Sequence, residues 1–164
     1  SIAMPTLPAG TTPVIVQLLE QHRENTKECF PHGFVPWSRG REFTEGEVWD
    51  PNEVHISEAA RAALVVNLLT EDNLPYYFAT LMGVRDWGPW AEWTRQWTAE
   101  EGRHAIVIRD YLTVTRSVDP VALERGRMNQ VSTGETPSVD AVADALVYTT
   151  RQELATRISP RTPR

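Results

Sequence analysis

The sequence predicts an all-α chain, most simply a helical bundle, on three observations. No segment sustains the period-two alternation of a half-buried strand. Apolar residues recur at spacings of three and four, the pattern of one helix face turned inward. Residues that cap or break helices, namely Ser57, Pro75, Pro89, Asp119-Pro120 and Ser138, separate the stretches that carry this pattern.

Residues 1–13 are rich in Pro, Gly and Thr and are expected to be flexible. The opening Ser1-Ile2-Ala3 before Met4 reads as a cloning remnant. A single helical domain is expected over 14–159. Its first helix, from Val14 to about Glu28, has a weak stripe. Phe30 to Val54 contains Pro31, Gly33, Pro36, Gly40, Gly46 and Pro51 and reads as a long loop, functional or draped over helices. Ser57 caps a helix to about Met82, with Pro75 kinking or breaking it. Trp87-Gly88-Pro89 restarts the chain as a helix to about Thr115. Asp119-Pro120 is a cap followed by Pro at the first helical position, and opens a shorter helix to about Val131. After a loop at 133–137, Ser138 caps a last helix from Val139 to about Ile158. The tail, Pro160 to Arg164, is expected to be disordered.

At 164 residues the chain is long enough for one domain with a core. A net charge of −6 argues against a nucleic-acid partner. No apolar run approaches the roughly 20 residues of a membrane span. The lone Cys29 excludes an intrachain disulfide and fits a reducing, cytoplasmic setting.

Polar residues interrupt the apolar stripes. Trp90, Trp93, Trp97, Glu101, His104, Ile108 and Tyr111 fall on one helix face, which puts Glu101 and His104 one turn apart within it. Ala60, Leu64, Leu68, Glu71 and Pro75 form a stripe with Glu71 as the intruder. Val142, Leu146, Thr149, Glu153 and Thr156 form another, with Glu153. An inward glutamate ordinarily pairs with an arginine, and Arg103 or Arg127 could serve one of them. Three such acids with a histidine also match the carboxylate-rich metal sites of ferritin-like bundles, where Glu-x-x-His supplies two ligands from one helix face. The stripes alone leave both readings open.

The runs LLTEDNLPYY, WAEWTRQWTAEEGRHAIVIRDYLTVTRSVDP and VYTTRQELATRIS, with PHGFVPW and WDP, carry more information. From about Leu18 to Ser159 the chain resembles the soluble acyl-acyl-carrier-protein desaturases, the stearoyl-type family, and its bacterial branch above all. The resemblance implies a ferritin-like bundle around two irons. It implies an acyl chain carried on acyl carrier protein, a ferredoxin-type electron donor, and the dioxygen-dependent insertion of a cis double bond. By position Glu71 matches the terminal ligand of the first iron, Glu101 a bridging carboxylate and His104 the first iron's imidazole. Glu153 matches the terminal ligand of the second iron. Thr156 and Thr70 match hydroxyls beside the oxygen site. Arg95, Arg103, Arg109 and Arg116 are candidates for a basic face toward the acidic carrier protein, or for an ordinary solvated one. Arg103 is also the best candidate to support a ligand carboxylate.

The sequence departs from that family most consequentially after His104. No histidine follows His104, whereas the family places a second Glu-x-x-His well beyond residue 164. The four-helix core is therefore expected to be incomplete, with one metal or none where the family has two. A homodimer is expected, because twofold pairing would bring two copies of Glu71, Glu101 and His104 together. The alternatives are a non-catalytic helical remnant that dimerises or binds carrier protein, and another ferritin-like di-metal oxidase.

Overall fold

The structure, a computed structural model, describes residues 6–84 and 88–133. The expected helix over 139–158, and with it Glu153 and Thr156, lies outside the described residues. Among those described, every regular element is helical: α1 (Thr11–Asn25), α2 (Glu58–Glu71), α3 (Leu74–Met82), α4 (Pro89–Val114) and α5 (Pro120–Thr133), with 3-10 turns at Pro31–Gly33, Trp37–Arg39 and Pro51–Glu53. The all-α expectation holds.

The boundaries differ from the sequence reading for identifiable reasons. α1 starts at Thr11 and takes Pro13 into its first turn, where a missing N–H costs nothing. Ser57 Oγ accepts the Ala60 N–H at 3.1 Å, the expected cap. The helix it opens ends at Glu71 and does not run on to Met82. A proline ring clashes with the carbonyl four residues back, so the break falls one turn ahead of Pro75. α3 then restarts with Pro75 in its own first turn. Asp119 caps α5 through the Val121 N–H at 3.0 Å.

The described residues divide into two compact units. The first comprises 6–24, 76–84 and 88–94. It buries Ile15 and Leu19 of α1, Tyr77 and Leu81 of α3, and Trp90, Ala91 and Thr94 of α4. Trp90 donates its indole N–H to the Leu81 carbonyl at 2.8 Å. Thr94 is polar yet fully buried, because its hydroxyl bonds to the Trp90 carbonyl one turn back. The stripe read from the sequence passed over Thr94 and took Trp93, which is only half-buried.

The second unit comprises 25–75 and 95–133. Leu68 of α2, Leu112 of α4, Val118 and Leu123 of α5 form its apolar cluster, with Leu64, Val65, Ala105 and Ile108 packed around it. Residues 40–54 are draped over the end of α4, as one of the two loop readings required. Gly40 passes so close that an added Cβ would lie 2.8 Å from Val114 Cγ1.

The anchor of this loop is Arg116, and here the sequence reading is corrected. Arg116 belongs to no basic face: it is 5% exposed, at φ 52°. The Arg116 N–H bonds to the Thr113 carbonyl at 3.1 Å and the Ser117 N–H to the Leu112 carbonyl at 3.0 Å, a Schellman ending with arginine where glycine is usual. The side chain offsets the left-handed backbone. It pairs with Glu47, donates to the Glu42 carbonyl at 2.8 Å and lies 3.8 Å from the centre of the Phe43 ring. Trp49 donates to the Arg116 carbonyl at 2.8 Å. Arg95 and Arg103 are exposed, while Arg109 is tied to the adjacent Asp110 at 2.8 Å.

The Thr44 N–H, followed by Arg116, holds the Glu47 carboxyl down at about 2, against an ordinary 4.5. A depressed carboxyl contributes stability that is present above pH 4.5 and is lost as pH falls through about 2. Amide protection factors in residues 40–54, taken against the intrinsic exchange rate at each pH, are therefore expected to fall on acidification over that window. Glu47→Gln is expected to show low protection factors already at neutral pH and no further fall below it. A wild-type loop whose protection does not change between pH 5 and pH 2 would contradict this.

Candidate metal centre

α2 and α4 each present acid to the same place. Glu71 is the last residue of α2, and Glu101 and His104 sit one turn apart on α4. Residues three apart on a helix are surface neighbours, and His104 Nδ1 lies 3.1 Å from Glu101 Oε2. The same nitrogen lies 3.7 Å from Glu71 Oε1. One donor atom from each of the three side chains falls within 4.8 Å of the others. Glu71 is 8% and Glu101 4% exposed, while His104 is half-buried.

Two buried carboxylates this close need a positive partner. Among the described residues, the ion pair formed by each is with His104. Glu101 first, then Glu71, push the His104 imidazole up to about 10 against the opposing effect of burial. Burial pushes the Glu71 carboxyl up, the Glu101 charge adds to this, and His104 pulls the other way. The cluster thus keeps protons that isolated groups would release. A divalent cation is the alternative to those protons. Two anionic oxygens and one imidazole nitrogen are donors that suit iron, manganese, cobalt or zinc, so the residues present fit a metal.

The other expected site residues fare differently. Thr70 Oγ1 donates to the Val66 carbonyl of its own helix at 2.9 Å. Glu153 and Thr156 lie outside the described residues. Neither arginine considered as a partner for the inward acids serves Glu71 or Glu101. Arg103 is exposed and reaches the Cys29 carbonyl at 3.5 Å. Arg127 pairs with Asp72 at 2.8 Å. The Asp72–Arg127 pair escaped the sequence reading, although an acid at the negative end of a helix is a signal that a cation waits nearby.

Gly102 separates Glu101 from Arg103 in mid-helix. An added Cβ would meet only Leu74 Cδ2, at an ordinary 3.9 Å. Gly102→Ala is expected to stabilise the chain by about 0.5–1 kcal/mol through the backbone entropy of the unfolded state. A higher urea midpoint with an unchanged slope checks it; a lower midpoint contradicts it.

The sequence profile described as Fatty acid desaturase matches residues 9–163. The Mycobacterium tuberculosis protein DesA1, which bears the name of an acyl-acyl-carrier-protein desaturase, is 44% identical over 162 residues, covering 91% of this chain and 47% of its own length. The Arabidopsis thaliana stearoyl-acyl-carrier-protein 9-desaturase 6, chloroplastic, is 41% identical over 105 residues, covering 58% of this chain and 27% of its own. An X-ray structure of DesA2 from Mycobacterium tuberculosis H37Rv superposes with a TM-score of 0.58 at 27% identity, covering 88% of this chain and 63% of that one. The chain spans about half the length of the mycobacterial relatives it matches.

Proposed function

The chain belongs to the fatty acid desaturase family, and from that premise we propose that it carries the first-iron half of an acyl-acyl-carrier-protein desaturase site. The observation that carries this reading is the convergence of Glu71, Glu101 and His104 within 4.8 Å of one another. In it, Glu71 and His104 would hold one iron, Glu101 would supply carboxylate to both irons, and Glu153 would hold the second. The irons, when bound, supply the activation of dioxygen that removes two hydrogens from an acyl chain. Thr70 and Thr156 are the hydroxyls assigned beside the oxygen site, with Thr70 needing to give up its bond to Val66 in order to act there.

The chain's own part is placement and protection. Buried Glu71 and Glu101 bind the cation only where water is excluded, so their charge is not spent on solvent. His104 must surrender the proton it shares with Glu101 before its nitrogen can coordinate. The substrate of this reading is an acyl chain on acyl carrier protein, the electron donor a ferredoxin, the assembly a homodimer and the compartment the cytoplasm. No described helix is long and apolar enough to cross a membrane. The relatives' names favour this reading over a different ferritin-like oxidase.

Anaerobic titration with iron(II), read by bound metal per chain, tests it. At least one iron per wild-type chain is expected, with Glu101→Gln and His104→Ala each losing it. Iron retained at the wild-type level in both variants would remove the reading.

A further inference from the structure

Glu71 occupies the position in α2 least able to hold a ligand still. It is the last helical residue, followed by the break at Asp72 and Asn73, and helix ends fray. Something must fix this turn if its carboxylate is to stay with the two donors on α4. Backbone bonds do part of it: the Asp72 N–H reaches the Leu68 carbonyl at 2.9 Å and the Asn73 N–H the Thr70 carbonyl at 3.1 Å.

The capping residue itself is the anomaly. A carboxylate at a helix C-terminus faces the negative end of the peptide dipoles and is the wrong sign for helix stability. Asp72 nevertheless sits there with its side chain 8% exposed. Arg127 of α5 grips it with both arms of the guanidinium, Nε to Oδ2 at 2.8 Å and Nη2 to Oδ1 at 2.9 Å. Its third nitrogen is held by Glu124 at 2.8 Å, which fixes the rotamer. The contact has a register. Leu68 and Asp72 are four apart on α2, Leu123 and Arg127 four apart on α5, and both leucines lie in one apolar cluster. The leucines and the ion pair thus form two successive rungs between the same two helices, and Glu71 lies on the turn between them.

We propose that Arg127, acting through Asp72, is a positioning residue that holds the final turn of α2 so that Glu71 remains at the metal centre. The proposal rests on the metal reading above. The fork matters as well as the charge, because two parallel bonds fix both direction and distance where a point charge fixes neither.

Cobalt(II) binding to the full chain, followed by its visible absorption, separates the possibilities. Arg127→Lys keeps the charge and loses the fork, and Asp72→Asn keeps the shape and loses the acid. Each is expected to weaken cobalt binding about tenfold to a hundredfold and to alter the absorption band, with helicity unchanged. Leu123→Ala removes the neighbouring rung. It is expected to lower the thermal midpoint at least as much while leaving cobalt affinity within about twofold of wild type. Arg127→Lys binding cobalt like wild type, or losing no more than Leu123→Ala, overturns the proposal. His104→Ala is the separate control: its loss of cobalt keeps the metal reading intact whatever Arg127 does, and its failure to lose cobalt removes that reading and this proposal together.

Discussion

Raising the pH from about 6 to about 8.5 is expected to strengthen cobalt(II) binding roughly tenfold per pH unit, several hundredfold in all. The sign follows from His104. Its imidazole keeps a proton up to about 10 in the fold, against an ordinary 6.5, because Glu101 and Glu71 both face its Nδ1. Coordination requires that proton to leave, so throughout this range binding releases one proton and the apparent affinity climbs. An ordinary histidine would give a plateau above about pH 6.5. Glu71, also held up by burial, steepens the slope wherever it too still holds a proton. The metal-free chain behaves in the opposite sense. The stability contributed by the protonated imidazole is complete below pH 6.5 and is lost as pH rises through about 10. Bound metal is therefore expected to protect most at alkaline pH. The measurement is the cobalt affinity by competition with a chelator at several pH values, together with thermal midpoints with and without metal. A flat profile above pH 7 would show that the proton and the metal do not compete at this nitrogen.

Trp97→Ala is expected to cost about 3–5 kcal/mol of stability while leaving the ligands in place. Trp97 is 1% exposed and lies one turn before Glu101 on the same helix. Removing the indole deletes a large buried surface and leaves a cavity that a helix cannot close by shifting one side chain. For a chain of this size the thermal midpoint should fall by about 10 °C. Trp97→Phe keeps most of the volume and is expected to recover more than half of the loss. Urea unfolding of both variants checks the ranking. A loss under about 1 kcal/mol for Trp97→Ala would mean that the residue contributes little to the packing around Glu101.

Short-range signals in the sequence were sufficient for much of this. Ser57 and Asp119 announce helix starts because a side-chain oxygen satisfies a free N–H only two or three residues away. Glu101 and His104 could be paired on paper for the same reason: a separation of three on a helix is a contact whatever surrounds it. Glu71 could be placed on an inward face, since Leu64 and Leu68 share its stripe. The break after Glu71 was legible only to within a turn, because Pro75 forbids a continuous helix but does not say which residue gives way.

Residue order alone implies an all-helical chain of the desaturase family, with an acid on α2 and an acid–imidazole pair on α4 turned to the interior. Which distant residues meet emerges only from the packed chain. Glu71 reaches His104 across thirty-three positions, Arg116 turns from a surface charge into the buried anchor of residues 40–54, and Arg127 grips Asp72 in place of the buried Glu71 and Glu101. The physical reason is that periodicity fixes the face a residue occupies, through bond geometry that repeats every few residues. Partner choice between helices depends on loop path, on the rotation of each helix about its axis and on which buried charges can be neutralised together, and these are settled only when the whole chain packs.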